Sequence, residues 1–156
     1  FDVVATVGDI SCKPGAVNVI PGHCQFFLDI RGAKDAVRDR AVEWLMTAMS
    51  SSCHRRGLTL DHLEIHSANA VACDSRWQRL LENSLRCAGI EVNSLPSGAG
   101  HDAMAMKDFT PMGMLFVRCK EGISHHPAEA ITTADVAVAL EVLTRAVCED
   151  AGVDIF

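Results

Sequence analysis

The stretch Met112-Gly113-Met114-Leu115-Phe116-Val117-Arg118-Cys119 is a short, nearly continuous apolar run. A run of this length reads as a strand buried on both faces, as a parallel sheet requires. Its flanks point to the class. Upstream, Asp74 stands as an N-cap before Trp77, Leu80, Leu81 and Leu85, which recur at helical spacing until Gly89 stops them. Ile90 to Leu95 then reads as a short strand. Pro96-Ser97-Gly98-Ala99-Gly100 is a small-residue loop, and His101 to Met106 allows one or two helical turns. Downstream, Glu121 to Glu129 is a polar loop. It leads to a last helix capped by Thr132 or Thr133, with Val136, Leu140, Leu143 and Val147 along one face. Residues 68–156 therefore alternate α-β-α-β-α, the signature of helices covering a mostly parallel sheet.

Residues 1–67 follow another pattern. Val3 to Ile10 is strand-like, and Lys13-Pro14-Gly15 is a turn. Val17 to Ile20 is a short apolar run closed by Pro21-Gly22, and Cys24 to Ile30 reads as a second strand, antiparallel to the first. From Asp35, the positions Val37, Ala41, Trp44, Leu45 and Ala48 give a helix one apolar face. Gly57 ends it, after His54, Arg55 and Arg56 in the last turn, where cations suit the helix dipole. Leu58, Leu60, Leu63 and Ile65 fit a further strand. The expected class is α/β joined to a smaller α+β layer, with the change of pattern at residues 67–73.

Composition narrows the function. The net charge of −6 comes without a Lys/Arg cluster, so nucleic acid is not an expected partner. No apolar run approaches a membrane span, and no charged-then-apolar leader is recognisable. The seven cysteines contain no C-x-x-C pair and read as reduced thiols of a cytoplasmic protein. The chain begins at Phe1 without an initiator Met, which suggests a fragment or a processed product.

Three segments could carry chemistry. Gly122-Ile123-Ser124-His125-His126-Pro127-Ala128-Glu129 follows the buried run, at a strand's C-terminal edge, where open α/β sheets place their sites. A loop-held His before Pro suits a divalent metal, and Glu129 could brace the other ring nitrogen. Two surface histidines are the plain alternative. In Ser97-Gly98-Ala99-Gly100-His101-Asp102-Ala103 the small residues admit a close ligand, and a helix opening at Gly100 to Asp102 would offer N–H groups to an anion. A tight turn is the alternative. His101 and Asp102 could serve as acid and base, or only cap and brace. Finally, Asn18 and Arg31 lie on neighbouring strand segments. Arg31 could take a carboxylate bidentately, or merely pair with Asp29 or Asp35.

Taken together, these segments, with Gly15-Ala16-Val17-Asn18-Val19-Ile20-Pro21-Gly22 and Leu28-Asp29-Ile30-Arg31, resemble the hydantoinase/carbamoylase branch of the M20 metallopeptidase-like family. That branch includes allantoate amidohydrolases and N-carbamoyl-L-amino acid hydrolases. The resemblance implies a two-domain fold, with residues 1–67 part of a lid that also forms a homodimer and residues 68–156 the C-terminal part of the catalytic α/β domain. It implies two divalent ions per site (zinc, manganese or cobalt) and hydrolysis of a ureido C–N bond, releasing ammonia and carbon dioxide. By the same resemblance His125 is a metal ligand. Asn18 and Arg31 hold the substrate carboxylate, and the Gly98-Ala99-Gly100 backbone touches substrate. His101, Asp102 and Glu129 brace or stand in the second layer, and His126 lies outside the metal shell. The family's bridging Asp, Glu base and other ligands are absent, so the 156 residues alone are expected to be inactive. Allantoate is the leading substrate and an N-carbamoyl-L-amino acid the second. A non-catalytic carboxylate-binding or dimerisation module is the reading of another class.

Overall fold

The computed structural model describes residues 3–153. The chain divides into two compact units. One runs to Ala70 and takes in Pro96–Ala99, and the other comprises Val71–Leu95 and the residues from Gly100 onward.

The first unit is a β-hairpin with one helix. Strand β1 (Val3–Lys13) pairs antiparallel with β2 (His23–Gly32), and α1 spans Asp35–Arg55. In β1 the apolar positions Val3, Ala5 and Val7 have period two, but the next, Ile10, comes three residues later. A regular strand would send Ile10 to the opposite face. The register shifts between Val7 and Asp9, so that Val7 pairs Leu28 and Ile10 pairs Phe26. This β-bulge at Gly8 keeps both apolar groups on one side. The other face carries Gln25, Phe27, Asp29 and Arg31 of β2.

Helix α1 turns Val37, Ala41, Leu45, Met49 and Cys53 inward, each half-buried. Trp44, expected on that face, is 69% exposed, and Ala48 is exposed as well. Both sit one step round the helix from the buried line. Arg56 follows as C-cap, and Gly57 takes a left-handed φ of 66°. The first turn of α1 is tied to the end of the unit. Asp35 Oδ1 accepts from the Ala70 N–H at 2.8 Å, and Arg38 Nη1 donates to the Ala68 carbonyl at 2.7 Å.

The second unit rests on two helices, α2 (Ser75–Cys87) and α3 (Thr133–Ala151). Each begins as its sequence directs. Asp74 Oδ1 accepts from the N–H groups of Arg76 and Trp77, and Thr132 Oγ1 accepts from that of Asp135. Leu80 and Leu81 of α2 pack against Val142 and Ala146 of α3, with Trp77, Leu85, Ala88, Ile90 and Leu115 around them. Burying a leucine contributes about 1.5–3 kcal/mol, so this small cluster dominates the unit's packing.

Three expected strands are absent as ladders. Leu58 to Ile65, Ile90 to Leu95 and Met112 to Cys119 pair with nothing among the described residues, and the hairpin is the sheet found there. An apolar pattern states a need for burial; a ladder also needs a neighbour to take its N–H and C=O groups. Helix α3 also differs. The expected line of Val136, Leu140, Leu143 and Val147 is exposed, and the packed side is the stripe through Val142 and Ala146. The helix is apolar on two sides. The first unit pairs a two-stranded sheet with a helix, and the second holds helices and no paired strand among the described residues. No helix among the described residues is long and apolar enough to cross a membrane.

Candidate functional site

In the first unit the site residues stand on and beside the hairpin. Between β1 and β2 the chain runs through a cis Lys13–Pro14 bond, a left-handed Gly15 and a turn at Ala16 to Val19, closed by Val19 N–H to the Ala16 carbonyl at 3.3 Å. Gly22 N–H returns to the Lys13 carbonyl at 3.0 Å. Asn18 lies exposed in that turn. No hydrogen bond joins it to Arg31 among the described residues.

Arg31 is held from two directions. Its Nε donates to Asp29 Oδ1 at 2.9 Å and its Nη2 to Asp29 Oδ2 at 2.6 Å. Its Nη1 donates to the Gly98 carbonyl at 3.0 Å. Residues two apart on a strand share a face, so Asp-x-Arg places this fork by geometry alone. Hydrogen bonding from Arg31 holds the Asp29 carboxyl below the usual carboxylate range, outweighing slight burial, with the cationic charge adding to it. The same hydrogen bonds raise the guanidinium further. A guanidinium has five N–H groups. Asp29 and Gly98 leave one on each Nη.

The pairing with Asp29 is thus present, and so is the link to Gly98. Ser97 Oγ accepts from the Ala99 N–H at 3.2 Å, which shapes this loop. A Cβ added at Gly98 or Gly100 would meet nothing within 4 Å, so the chain's own packing does not require glycine at either position.

In the second unit, His101 caps and Asp102 opens a 3-10 segment, Asp102–Met106. The expected helical turns are thus a single 3-10 segment, which lacks the field of an α-helix. His101 accepts from the Met104 N–H through its carbonyl.

The loop from Lys120 to Ala130 is closed at its base by Lys120 N–H to the Ala130 carbonyl at 2.8 Å. Inside it, Glu121 and Gly122 adopt left-handed backbone, and so does His125 with φ 57°. A non-glycine residue there is uncommon and held by its surroundings. Glu129 does the holding. Its Oε2 accepts from the His125 backbone N–H at 2.8 Å, while its own N–H donates to the His126 carbonyl. Glu129 therefore braces the backbone and not, as expected, the ring. The ring partner is Ser124, whose Oγ lies 2.6 Å from His125 Nδ1. Where Nδ1–H donates to this hydroxyl, Nε2 keeps its lone pair for a ligand. Sequence reasoning did not single out Ser124; a short hydroxyl side chain directly before the histidine was the available signal. His126 Nδ1 accepts from the Ala128 N–H at 3.1 Å, which makes that ring a brace of the loop.

No three His, Cys, Asp or Glu side chains among the described residues come together to hold a metal ion. His125 offers one donor, which is not a metal site by itself. The described residues alone do not fit a divalent ion, still less two.

The family model for peptidase family M20/M25/M40 matches residues 3–149. The chain belongs to that family. This M20 chain is 43% identical over 145 residues to an allantoate deiminase of Arabidopsis thaliana, covering 88% of this chain and 28% of the plant protein. It is 35% identical over 144 residues to an N-carbamoyl-L-amino acid amidohydrolase of Geobacillus stearothermophilus, covering 92% of this chain and 35% of that one. Among solved structures, a hydantoinase/carbamoylase family amidase of Burkholderia multivorans superposes with a TM-score of 0.92 at 30% identity, covering 99% of this chain and 38% of that one. The M20 chain spans about a third of the length of such relatives. The expected likeness to the hydantoinase/carbamoylase branch holds.

Proposed function

We propose that this M20 chain supplies the carboxylate-holding element and one metal ligand of an amidohydrolase that cleaves the ureido C–N bond of a small carboxylate, releasing ammonia and carbon dioxide. Allantoate is the leading substrate. The observation that carries the reading is the Arg31 guanidinium, fixed by Asp29 and the Gly98 carbonyl with an N–H left on each Nη. A pre-set fork binds a carboxylate with little ordering cost. Asn18 would add a donor, and the open space at Gly98 and Gly100 would admit the substrate against the Gly98-Ala99-Gly100 backbone. The relatives named for allantoate and N-carbamoyl amino acids support the substrate class.

In this reading residues 1–67 form part of a lid and residues 68–156 part of a catalytic domain. The complete enzyme carries two divalent ions, zinc, manganese or cobalt. His125 is one donor, and the remaining ligands, the bridging carboxylate and the base lie outside these 156 residues. A homodimer through the lid and a cytoplasmic setting complete the proposal; exposed Trp44 on α1 supports the first. The second substrate reading, an N-carbamoyl-L-amino acid, is supported by the bacterial relative, 35% identical across 92% of this chain.

Ammonia release decides. The full-length protein carrying this chain, stripped of metal and reloaded with manganese or zinc, is assayed on allantoate and on a panel of N-carbamoyl-L-amino acids. Higher kcat/KM on allantoate is expected. Preference for an N-carbamoyl amino acid would select the second reading. A folded, metal-loaded protein that turns over no ureido substrate would leave a carboxylate-binding module.

A further inference from the structure

Cys12 and Cys24 occupy directly opposed positions of the antiparallel ladder, next to its last pair, Lys13 and His23. Their Sγ atoms are 2.6 Å apart and both residues are exposed. That separation is about half an ångström more than an S–S bond. Opposed residues of an antiparallel pair have Cα atoms about 4.5–5.5 Å apart, within the span a disulfide accepts. The opposed register and the Sγ separation bring the two thiols together for a bond. The site is also placed to matter, because Lys13 to His23 is the connection that carries Asn18.

We propose that Cys12 and Cys24 form a reversible disulfide that staples the loop end of the hairpin. The oxidant is a low-molecular-weight disulfide of the glutathione type. The thiolate of one cysteine attacks a sulfur of that disulfide, breaking its S–S bond, forming a mixed disulfide and releasing one small thiol. The second cysteine attacks the protein sulfur of the mixed disulfide, forming the Cys12 Sγ–Cys24 Sγ bond and releasing the second small thiol. Two protons and two electrons pass from the cysteines to the small disulfide, and nothing else is consumed. Both thiols are exposed, so a small disulfide can reach either one. The closed form restricts the loop that holds Asn18; any consequence for substrate rests on the function proposed above, but formation of the bond does not.

The test is peptide mapping of the native full-length protein. It is incubated with oxidised glutathione, blocked with N-ethylmaleimide under denaturing conditions, and cut before aspartate. The peptide Asp9–Leu28 contains both cysteines and no other. The expected product is that peptide two hydrogens lighter than its reduced form and unreactive to the blocking agent, returning to doubly blocked after dithiothreitol. Hydrogen exchange across residues 14–22 should slow in the oxidised form. Cys12→Ser and Cys24→Ser proteins should each retain a glutathione adduct on the remaining cysteine. A wild-type peptide that stays doubly blocked, carries glutathione without the internal bond, or is linked to another cysteine would overturn the proposal. The wild-type map needs no variant to fold, and it reads no activity.

Discussion

Arg31 and Gly98 stand 67 residues apart in the chain and are joined by a 3.0 Å hydrogen bond from Nη1 to the glycine carbonyl. The Pro96–Ala99 loop belongs to the first unit, although the chain on either side of it belongs to the second. Asp29 fixes the same guanidinium from the strand. The three groups together set the plane in which a substrate carboxylate would be met.

Arg31→Lys in the full-length enzyme keeps the charge and loses the fork. An ammonium cannot serve Asp29 bidentately, reach Gly98 and still present two further donors. Losing charged hydrogen bonds worth about 1.5–3 kcal/mol raises KM for a ureido carboxylate about 10- to 100-fold. Steady-state ammonia release reads the change, and an unchanged KM would remove Arg31 from substrate binding.

Asp29 titrates below the ordinary aspartate range because Arg31 hydrogen-bonds its ionised form. Its folded value is lower than its unfolded value. Its contribution to stability is therefore present above the ordinary aspartate range and is lost as pH falls through the lowered value. The contribution is small, because both side chains are about half exposed. Carboxyl NMR should find Asp29 depressed in the wild type and moved upward in Arg31→Ala.

Gly113 sits against α2. A Cβ there would stand 2.9 Å from Trp77 Cβ and 3.4 Å from Leu81 Cδ1. Trp77 Cβ is fixed to its backbone and cannot step aside as the end of a flexible side chain could. Gly113→Ala should destabilise the protein by about 1–3 kcal/mol, the usual cost of overpacking. Urea unfolding measures it. Gly98→Ala, where the added methyl meets nothing, is the control and should leave stability nearly unchanged.

What could be read from sequence follows from how local each signal is. The caps Asp74 and Thr132, the stops at Gly57 and Gly89, and the hairpin before Asp35 are set by nearby residues and are found in the structure. The bulge at Gly8 was legible as a slip of apolar phase between Val7 and Ile10 but passed unread. The strands expected at residues 58–65, 90–95 and 112–119 depend on distant neighbours, which their own pattern does not specify. The same limit applies to α3, where two apolar lines compete and packing against α2 selects the one through Val142 and Ala146. At the site, residue types pointed to Arg31 and His125. The hydrogen bonds that orient them, from Asp29, Gly98, Ser124 and Glu129, depend on geometry.

His125 is proposed to give a metal ligand to a ureido-cleaving centre. His125→Asn isolates the imidazole, because asparagine tolerates the left-handed backbone that His125 adopts. The measurement is ammonia release from allantoate and N-carbamoyl amino acids by metal-loaded wild-type and His125→Asn full-length proteins, with bound metal quantified in each. Metal-dependent turnover by the wild type, with both turnover and bound metal sharply reduced in His125→Asn, is the predicted result. Full metal content and unchanged ammonia release in His125→Asn would contradict it.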